Sequence, residues 1–182
     1  MADAPGIGFH TGNVGWATMK CVGSSFYFYD SSCSGYVPIY GSKVYGAVWN
    51  DYAEFRSGSI TEPGRVVHES PDGILRPSTS RLEPGCEIIS DTFGFAIGET
   101  DECKTPIAVT GRVLAYTDTD RYSFNLGDAV CSGPNGTVSR MTREEIREYP
   151  ERILGTVSEI PEYDEWGTGN IKVNGRIWIR IR

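Results

Sequence analysis

The sequence predicts a mainly β protein, in which a short glycine-rich β stem segment is followed by a compact β domain with one short helix at about residues 143–149. Three observations support this prediction. The 182 residues include 22 glycines and 10 prolines, which indicates many turns and therefore many short strands. Runs of β-branched and aromatic residues recur after residue 56, separated by turn signals. A single helix start is well marked, so the helical content should be small.

Composition limits the classes of partner and of site. The formal charge of −7 argues against binding to nucleic acid or to an anionic membrane, because the field of the molecule repels phosphate. No apolar run approaches the roughly 20 residues that span a bilayer, so no membrane insertion is expected. The five cysteines include no Cys-x-x-Cys pair, and only two histidines could complete a metal site. We therefore expect free thiols from a reducing cytoplasm, and neither a metal site nor a cofactor.

Residues 5–47 have the pattern of short strands and tight turns. Phe26–Tyr29 are four aromatic residues in a row, without the polar face of an ordinary surface strand. Such a strand lies between two layers or packs against another chain. About forty residues with a glycine every few positions cannot easily enclose a core of their own. This segment should therefore depend on sister chains or on a longer stem that precedes it.

The rest of the chain alternates strand patterns with turn signals, and it contains the one marked helix. Gly133–Gly136 is a turn signal between strands at 128–130 and 137–138. Thr142 and Glu145 form a capping box that starts a helix, and Pro150 should end it after about two turns. The other strand-like runs are 65–68, 87–90, 93–97, 107–109 and 111–116.

The last strands are predicted as a hairpin. Asn174-Gly175 is the favoured pair for a type I′ turn, so residues 171–173 should pair with residues 176–182. Isoleucine at every second position from 177 to 181 indicates a strand with one buried face.

The segment Val48–Phe55 places an asparagine and two carboxylates among aromatic residues. Asn50 precedes Asp51, and Glu54 follows three residues later. Two intramolecular reactions could break the peptide bond between Asn50 and Asp51. In the first, the side-chain nitrogen of Asn50 attacks its own carbonyl carbon, which forms a succinimide and expels the amine of Asp51. In the second, one carboxylate activates water or attacks the carbonyl, while the other carboxyl group protonates the leaving nitrogen.

The environment and the spacing of these residues set conditions on both reactions. Burial among Trp49, Tyr52 and Phe55 should raise the pKa of at least one carboxyl group toward neutrality, as an acid catalyst requires. In an extended strand, Glu54 lies roughly 10 Å from Asp51 and on the opposite face, whereas in a helical turn the two positions are neighbours. Cleavage within one chain therefore requires a turn here, and an extended segment requires Glu54 from a neighbouring subunit.

The run Asn-Asp-Tyr-Ala-Glu at residues 50–54, placed between the Val-Tyr-Gly-Ala-Val run at 44–48 and a β domain, resembles the junction in phage neck-appendage and tailspike proteins. These proteins end in a self-cleaving intramolecular chaperone of the glutamic-peptidase type. The motif of this family is a small polar residue followed by Asp-Tyr-Ala-Glu, with cleavage just before the Asp. The resemblance implies that Asn50–Asp51 is the scissile bond, that Asp51 matches the family aspartate and that Glu54 matches the catalytic glutamate. It extends more loosely over residues 44–182.

One departure from the family pattern concerns the residue before the aspartate. Some members have serine there, and this chain has Asn50. A route through a hydroxyl ester is therefore closed, whereas succinimide formation is open. Self-cleavage and a domain that persists uncleaved are both compatible with this residue.

The resemblance implies a function in assembly. Residues 1–50 would be the end of a fibre or spike stem, and residues 51–182 a chaperone domain that holds three chains in register, in the tail of a virion made in the host cytoplasm. The expected partners are two further copies of the chain, the upstream stem and, for a tip that contacts the host, a surface glycan. Two alternatives stay open: a non-enzymatic receptor-binding tip that stays on the virion, and an unrelated β-rich structural protein in which Asn50–Asp51 is only a turn.

Overall fold

The structure of this protein is a computed structural model, which describes residues 6–10, 16–22, 25–30, 50–58, 62–167 and 169–182. The chain divides into two compact units, Met1–Tyr45 and Gly46–Arg182. Short strands predominate in the described residues, and α1 (Arg143–Glu148) is the one α-helix among them, which confirms the predicted mainly β class. The Asn50–Asp51 bond lies near the start of the second unit.

The first unit contains a three-stranded antiparallel sheet. Its strands are β1 (Gly6–His10), β2 (Trp16–Val22) and β3 (Ser25–Asp30), with β2 in the middle. The register of both pairs is continuous along the strands, as expected where no extra residue interrupts the ladder.

Strand β3 is the aromatic strand that the sequence predicts. Tyr27 and Tyr29 stack on one face, with ring centroids 5.9 Å apart. Phe26 and Phe28 point to the other face and are 69% and 37% exposed. Phe26 is therefore mostly exposed on this apolar face, and Phe28 is partly exposed. The Val-Tyr-Gly-Ala-Val run at residues 44–48 lies outside the described residues.

The described part of the second unit contains twelve strands, most of them short. They are β4 (Asp51–Arg56), β5 (Val66–Glu69), β6 (Leu75–Pro77), β7 (Cys86–Ile88), β8 (Phe93–Ile97), β9 (Thr105–Ala115), β10 (Ala129–Ser132), β11 (Val138–Arg140), β12 (Gly155–Glu159), β13 (Glu165–Trp166), β14 (Ile171–Lys172) and β15 (Ile177–Ile181). Seven of them form one sheet in the order β11-β10-β12-β15-β9-β4-β8. A second sheet has the order β6-β5-β7, and β13 pairs with β14.

The main core joins apolar side chains from the seven-stranded sheet and from the sheet of β5 to β7. Val66 and Ile88 contribute from the smaller sheet, and Val113, Ile177 and Ile179 from the larger one; all five are fully buried. Burying one such side chain contributes about 1.5–3 kcal/mol, so these contacts fix the smaller sheet against the larger one. Strand β8 pairs in parallel with β4, with Phe93 opposite Asp51, which brings the residues before β8 close to the start of β4.

The helix forms as predicted. The Thr142 side chain accepts a hydrogen bond from the Glu145 amide, and the Glu145 carboxylate accepts one from the Thr142 amide, which is the predicted capping box. The helix ends at Glu148, and Pro150 begins a separate 3₁₀ turn. None of the helices in the described residues has the length and apolarity to cross a bilayer.

The predicted hairpin at the end of the chain is wrong in its pairing. Asn174 and Gly175 do have the positive φ angles of a type I′ turn, 51° and 75°. However, β14 pairs with β13, and β15 lies between β12 and β9. The reason is that Trp178 is fully buried on the face opposite the buried Ile177 and Ile179, so this part of β15 is covered on both faces and lies between two partner strands.

Candidate functional site

Asp51 is the first residue of β4, and its carboxyl group lies in the protein interior. The residue is 2% exposed. Its Oδ1 accepts a hydrogen bond of 2.8 Å from the Thr92 hydroxyl, and its buried Oδ2 has no hydrogen-bond partner. Burial raises the pKa of Asp51 from 3.8 to about 6, the hydroxyls of Ser90 and Thr92 partly oppose this, and the charge of Asp91 adds to it. Asp51 can therefore hold and release a proton near neutral pH, as the sequence analysis expects of one carboxyl group.

The peptide bond between Asn50 and Asp51 is held by Arg112 of β9. The Asn50 carbonyl oxygen accepts a hydrogen bond of 2.7 Å from the Arg112 amide. The Arg112 guanidinium donates to Asn50 Oδ1 at 3.3 Å. Because a guanidinium only donates, the oxygen of the Asn50 amide must face it, and the buried Nδ2 is left without a hydrogen-bond partner. The nitrogen that succinimide formation requires is thus not engaged elsewhere.

The position of Arg112 is itself fixed from two sides. Its guanidinium lies 3.2 Å from a Glu159 carboxylate oxygen and 4.8 Å from the centroid of the Trp178 ring. Both partners belong to the same sheet as β9. The Arg112 guanidinium is therefore held beside the Asn50 side chain by Glu159 and Trp178 as well as by Asn50 itself.

Gly111 allows the close approach of β9 to this bond. A Cβ atom on Gly111 would lie 2.1 Å from the Asn50 carbonyl oxygen and 2.6 Å from the Asp51 Cα. The residue also has φ +106°, a region that residues with a side chain rarely adopt. Only glycine at this position lets the neighbouring Arg112 amide reach the carbonyl oxygen.

Glu54 lies on the other face of β4 from Asp51. The strand is extended from Asp51 to Arg56, so side chains three residues apart point to opposite faces. Glu54 instead lines a cleft with Glu87, and the charge of Glu54 contributes to raising the pKa of Glu87, after the larger effect of burial. The structure therefore brings Asn50 and Asp51 together and leaves Glu54 apart from them within one chain. Trp49, expected to help bury the carboxyls, lies outside the described residues.

The side chains around Asp51 come from segments that sequence reasoning did not connect with it. Ser90 and Thr92 surround the carboxyl group, and Asp91 between them makes a two-point ion pair with Arg176, at 3.0 and 2.9 Å. Arg176 is 2% exposed, which makes this pair a fixed anchor for the 90–92 segment. The Ser90-Asp91 pair is visible in the sequence, but nothing local indicates that it packs against residue 51.

A separate cluster of side chains, which could bind a metal ion, lies at the sheet of β5 to β7. His68, Glu83 and Cys86 each offer a ligand atom, and these atoms all lie within 4.8 Å of one another. Burial raises the pKa of the Cys86 thiol to about 11, so without a metal this thiol is protonated at neutral pH and is a weak nucleophile. The sequence analysis did not predict this cluster, because its members are brought together by strand pairing.

Comparison of the chain with family models, with curated proteins and with solved structures gave no match.

Proposed function

We propose that this protein is a trimerisation and maturation domain of a phage or prophage tail fibre or tailspike, and that it cleaves itself at the Asn50–Asp51 bond. The observation that carries this proposal is the set of groups that surround the Asn50–Asp51 peptide bond. The carbonyl oxygen of Asn50 accepts a hydrogen bond from the Arg112 amide. Asp51, which supplies the nitrogen of the bond, has a buried carboxyl group with a pKa of about 6. The resemblance of residues 50–54 to the family junction also implies that this is the bond that is cleaved.

The groups around Asn50 support the succinimide route within a single chain. The Asn50 Nδ2 forms a bond to the carbonyl carbon of the same residue, and the bond from that carbon to the Asp51 nitrogen breaks. The proton lost by Nδ2 is matched by the proton that the leaving nitrogen gains, and we assign this transfer to the buried Asp51 carboxyl group, because its pKa of about 6 lets it both accept and donate a proton. The Arg112 amide stabilises the negative charge that develops on the carbonyl oxygen, and its guanidinium stabilises charge on Oδ1.

The carboxylate route needs a second chain. Asp51 and Glu54 point to opposite faces of β4, so a water molecule activated by Glu54 of one subunit would attack the Asn50 carbonyl of another. The surroundings of Glu54 support contact with a neighbour, because they form an apolar patch. Phe95, Ile97 and Val109 are 46%, 46% and 45% exposed, and Phe95 stacks on Tyr52 beside Glu54. We call these residues the Glu54 face.

The proposed trimer also accounts for the exposed apolar residues of the first unit. Phe26 and Phe28 stand on one face of β3 with 69% and 37% of their surface exposed. Exposed apolar patches of this kind are typical of surfaces that pack against another chain. Light scattering at micromolar concentration tests this part of the proposal. A trimer supports it, and a monomer or a dimer contradicts it.

Two substitutions separate the two routes of cleavage. Asn50→Ala removes the attacking nitrogen, so it abolishes cleavage by the succinimide route and leaves the carboxylate route open. Glu54→Gln keeps the size of the side chain but removes its acid–base group, which should slow the carboxylate route by about 10²–10⁴-fold. Glu87→Gln is the matched control, since Glu87 lines the same cleft. Intact mass against time gives the rates, and unchanged rates in both test variants would contradict a role for either residue.

A non-enzymatic receptor-binding tip is the second candidate function. It is favoured by the exposed aromatic side chains of β3, because aromatic faces can stack on the rings of a glycan. The two candidates differ in one outcome: a tip stays at full mass indefinitely, whereas a maturation domain separates from the preceding stem.

A further inference from the structure

We propose that His68, Glu83 and Cys86 form a binding site for a divalent transition-metal ion of the zinc class. The inference is independent of the proposed function, because the cluster lies on the sheet of β5 to β7 and the scissile bond on β4.

Strand pairing places two of the three ligands side by side. His68 in β5 and Cys86 in β7 are directly opposite each other in the antiparallel register. Residues in such positions point to the same face of the sheet, with Cβ atoms about 4.5–5.5 Å apart. An imidazole and a thiol in this arrangement can both reach one ion without any change in the backbone.

Glu83 completes the set from the segment that precedes β7. Its Oε2 accepts hydrogen bonds from the amides of Thr79 and Ser80, at 2.8 and 3.3 Å. These bonds turn the other oxygen, Oε1, toward His68 Nδ1, which lies 3.1 Å away. Carboxylates that bind metals are commonly oriented by such hydrogen bonds to the oxygen that does not bind.

The imidazole nitrogen of His68 is the second indication that this cluster binds a metal ion. The approach of His68 Nδ1 to Glu83 lacks hydrogen-bond geometry, so this buried nitrogen has no hydrogen-bond partner. Buried polar atoms normally have one. A metal between the two side chains would satisfy both, since two ligands at about 2.0–2.1 Å from a tetrahedral zinc lie about 3.3 Å from each other.

The donor set indicates the class of metal. One nitrogen, one carboxylate oxygen and one thiolate suit zinc, whereas calcium and magnesium require mainly oxygen ligands. His68 and Glu83 also line an open cleft of about 820 Å³, together with Arg65 and Ser78. Three protein ligands beside a cleft leave a fourth coordination position for water or for a bound molecule.

The test uses the full chain, reduced and freed of metal with a chelator. Cobalt(II) is the spectroscopic probe, because a thiolate ligand gives it a charge-transfer absorption in the near ultraviolet, and zinc affinity follows from competition with a coloured chelator. Wild type should bind one ion with the thiolate absorption. Cys86→Ser should lose that absorption and bind zinc at least about 100-fold more weakly. Cys103→Ser is the matched control and should behave as wild type.

A second variant guards against loss of folding. Glu83→Gln keeps an oxygen for the amides of Thr79 and Ser80 but removes the anionic ligand, so it should fold normally and bind zinc at least about 10-fold more weakly. Zinc should raise the melting temperature of wild type by more than that of Cys86→Ser at the same zinc concentration. Absence of the thiolate absorption in wild type, or equal zinc affinity in Cys86→Ser and Cys103→Ser, would overturn the proposal.

Discussion

Asp51 is a buried carboxyl group whose ionisation costs stability at neutral pH. The group is enclosed by the start of β4 and the 90–92 segment, and the hydroxyl of Thr92 donates a hydrogen bond of 2.8 Å to its Oδ1. The cost of burying the charged form is what raises its pKa to about 6. A carboxyl group in this state is a usable acid at physiological pH, whereas an exposed aspartate is not.

Asp51→Asn should stabilise the protein at neutral pH and not in acid. The folded protein holds the Asp51 proton more tightly than the unfolded chain, so stability falls as pH rises from about 4 to about 6, and the deficit is complete above pH 7. The rise of the pKa from 3.8 to about 6 corresponds to a gain of up to about 3 kcal/mol for the variant at pH 7.5, and none near pH 4. Urea unfolding at fixed protein concentration measures this difference in stability, in a background that carries both Asn50→Ala and Glu54→Gln so that neither proposed route of cleavage is open.

The control for this prediction is Asp101→Asn, which makes the same chemical change at an exposed position. Equal effects of Asp51→Asn on stability at the two pH values would mean that burial does not raise the pKa of the Asp51 carboxyl group. Asp51 could then not act as an acid near neutral pH.

The pairing of β4 with β9 is the element that arranges the candidate site. Gly111 brings the Arg112 amide to the Asn50 carbonyl oxygen, because no side chain stands between the two strands there. The two strands pair along the full length of β4, with one irregularity in register after Tyr52. The local geometry at Asn50 is thus set by a long strand and not by a turn.

Gly111→Ala should destabilise the protein and slow cleavage. The new Cβ would meet a backbone oxygen at 2.1 Å, which must move the scissile peptide away from the Arg112 amide. Losing one such donor costs about 10²–10³-fold in rate where it stabilises developing charge. Gly127→Ala is the matched control, because Gly127 also has a positive φ, +86°, but nothing within 4 Å of its added Cβ.

The control separates backbone strain from the collision between the two strands. Gly127→Ala should cost about 1–2 kcal/mol of stability from its backbone conformation alone, with no effect on cleavage. Gly111→Ala should cost at least about 1 kcal/mol more. Equal stability losses in the two variants, measured by urea unfolding, would show that the approach of β9 to Asn50 is loose.

Elements with local signals could be predicted from the sequence, and elements defined by distant contacts could not. The capping box of α1 and the turn between β10 and β11 are both specified within a few residues. By contrast, Arg112 reaches Asn50 across 62 positions, and β15 takes β9 and β12 as partners in place of the nearby Ile171–Lys172. The candidate residues Asn50 and Asp51 were visible from their spacing, whereas the groups that tune them were not.

At the scale of the whole molecule, the second unit encloses a hydrophobic core of its own, whereas the first unit has exposed aromatic side chains on β3. The second unit has a main core that joins two sheets, and the exposed apolar residues of the Glu54 face lie on its edge strand β8 and on β9. The first unit leaves Phe26 and Phe28 exposed. The proposed trimer and its proposed self-cleavage depend on these surfaces and on the Asn50–Asp51 bond.

Intact-mass measurement on freshly purified wild-type protein, repeated over several days at physiological temperature between pH 5 and pH 8, tests the central claim most directly. The account predicts a product that begins at Asp51 and carries 132 of the 182 residues, about 14.5 kDa of the 20.0 kDa chain. The rate should change most around pH 6, where Asp51 titrates. A chain that stays at full mass across this range would contradict self-cleavage and leave Asp51 and Glu54 as structural residues.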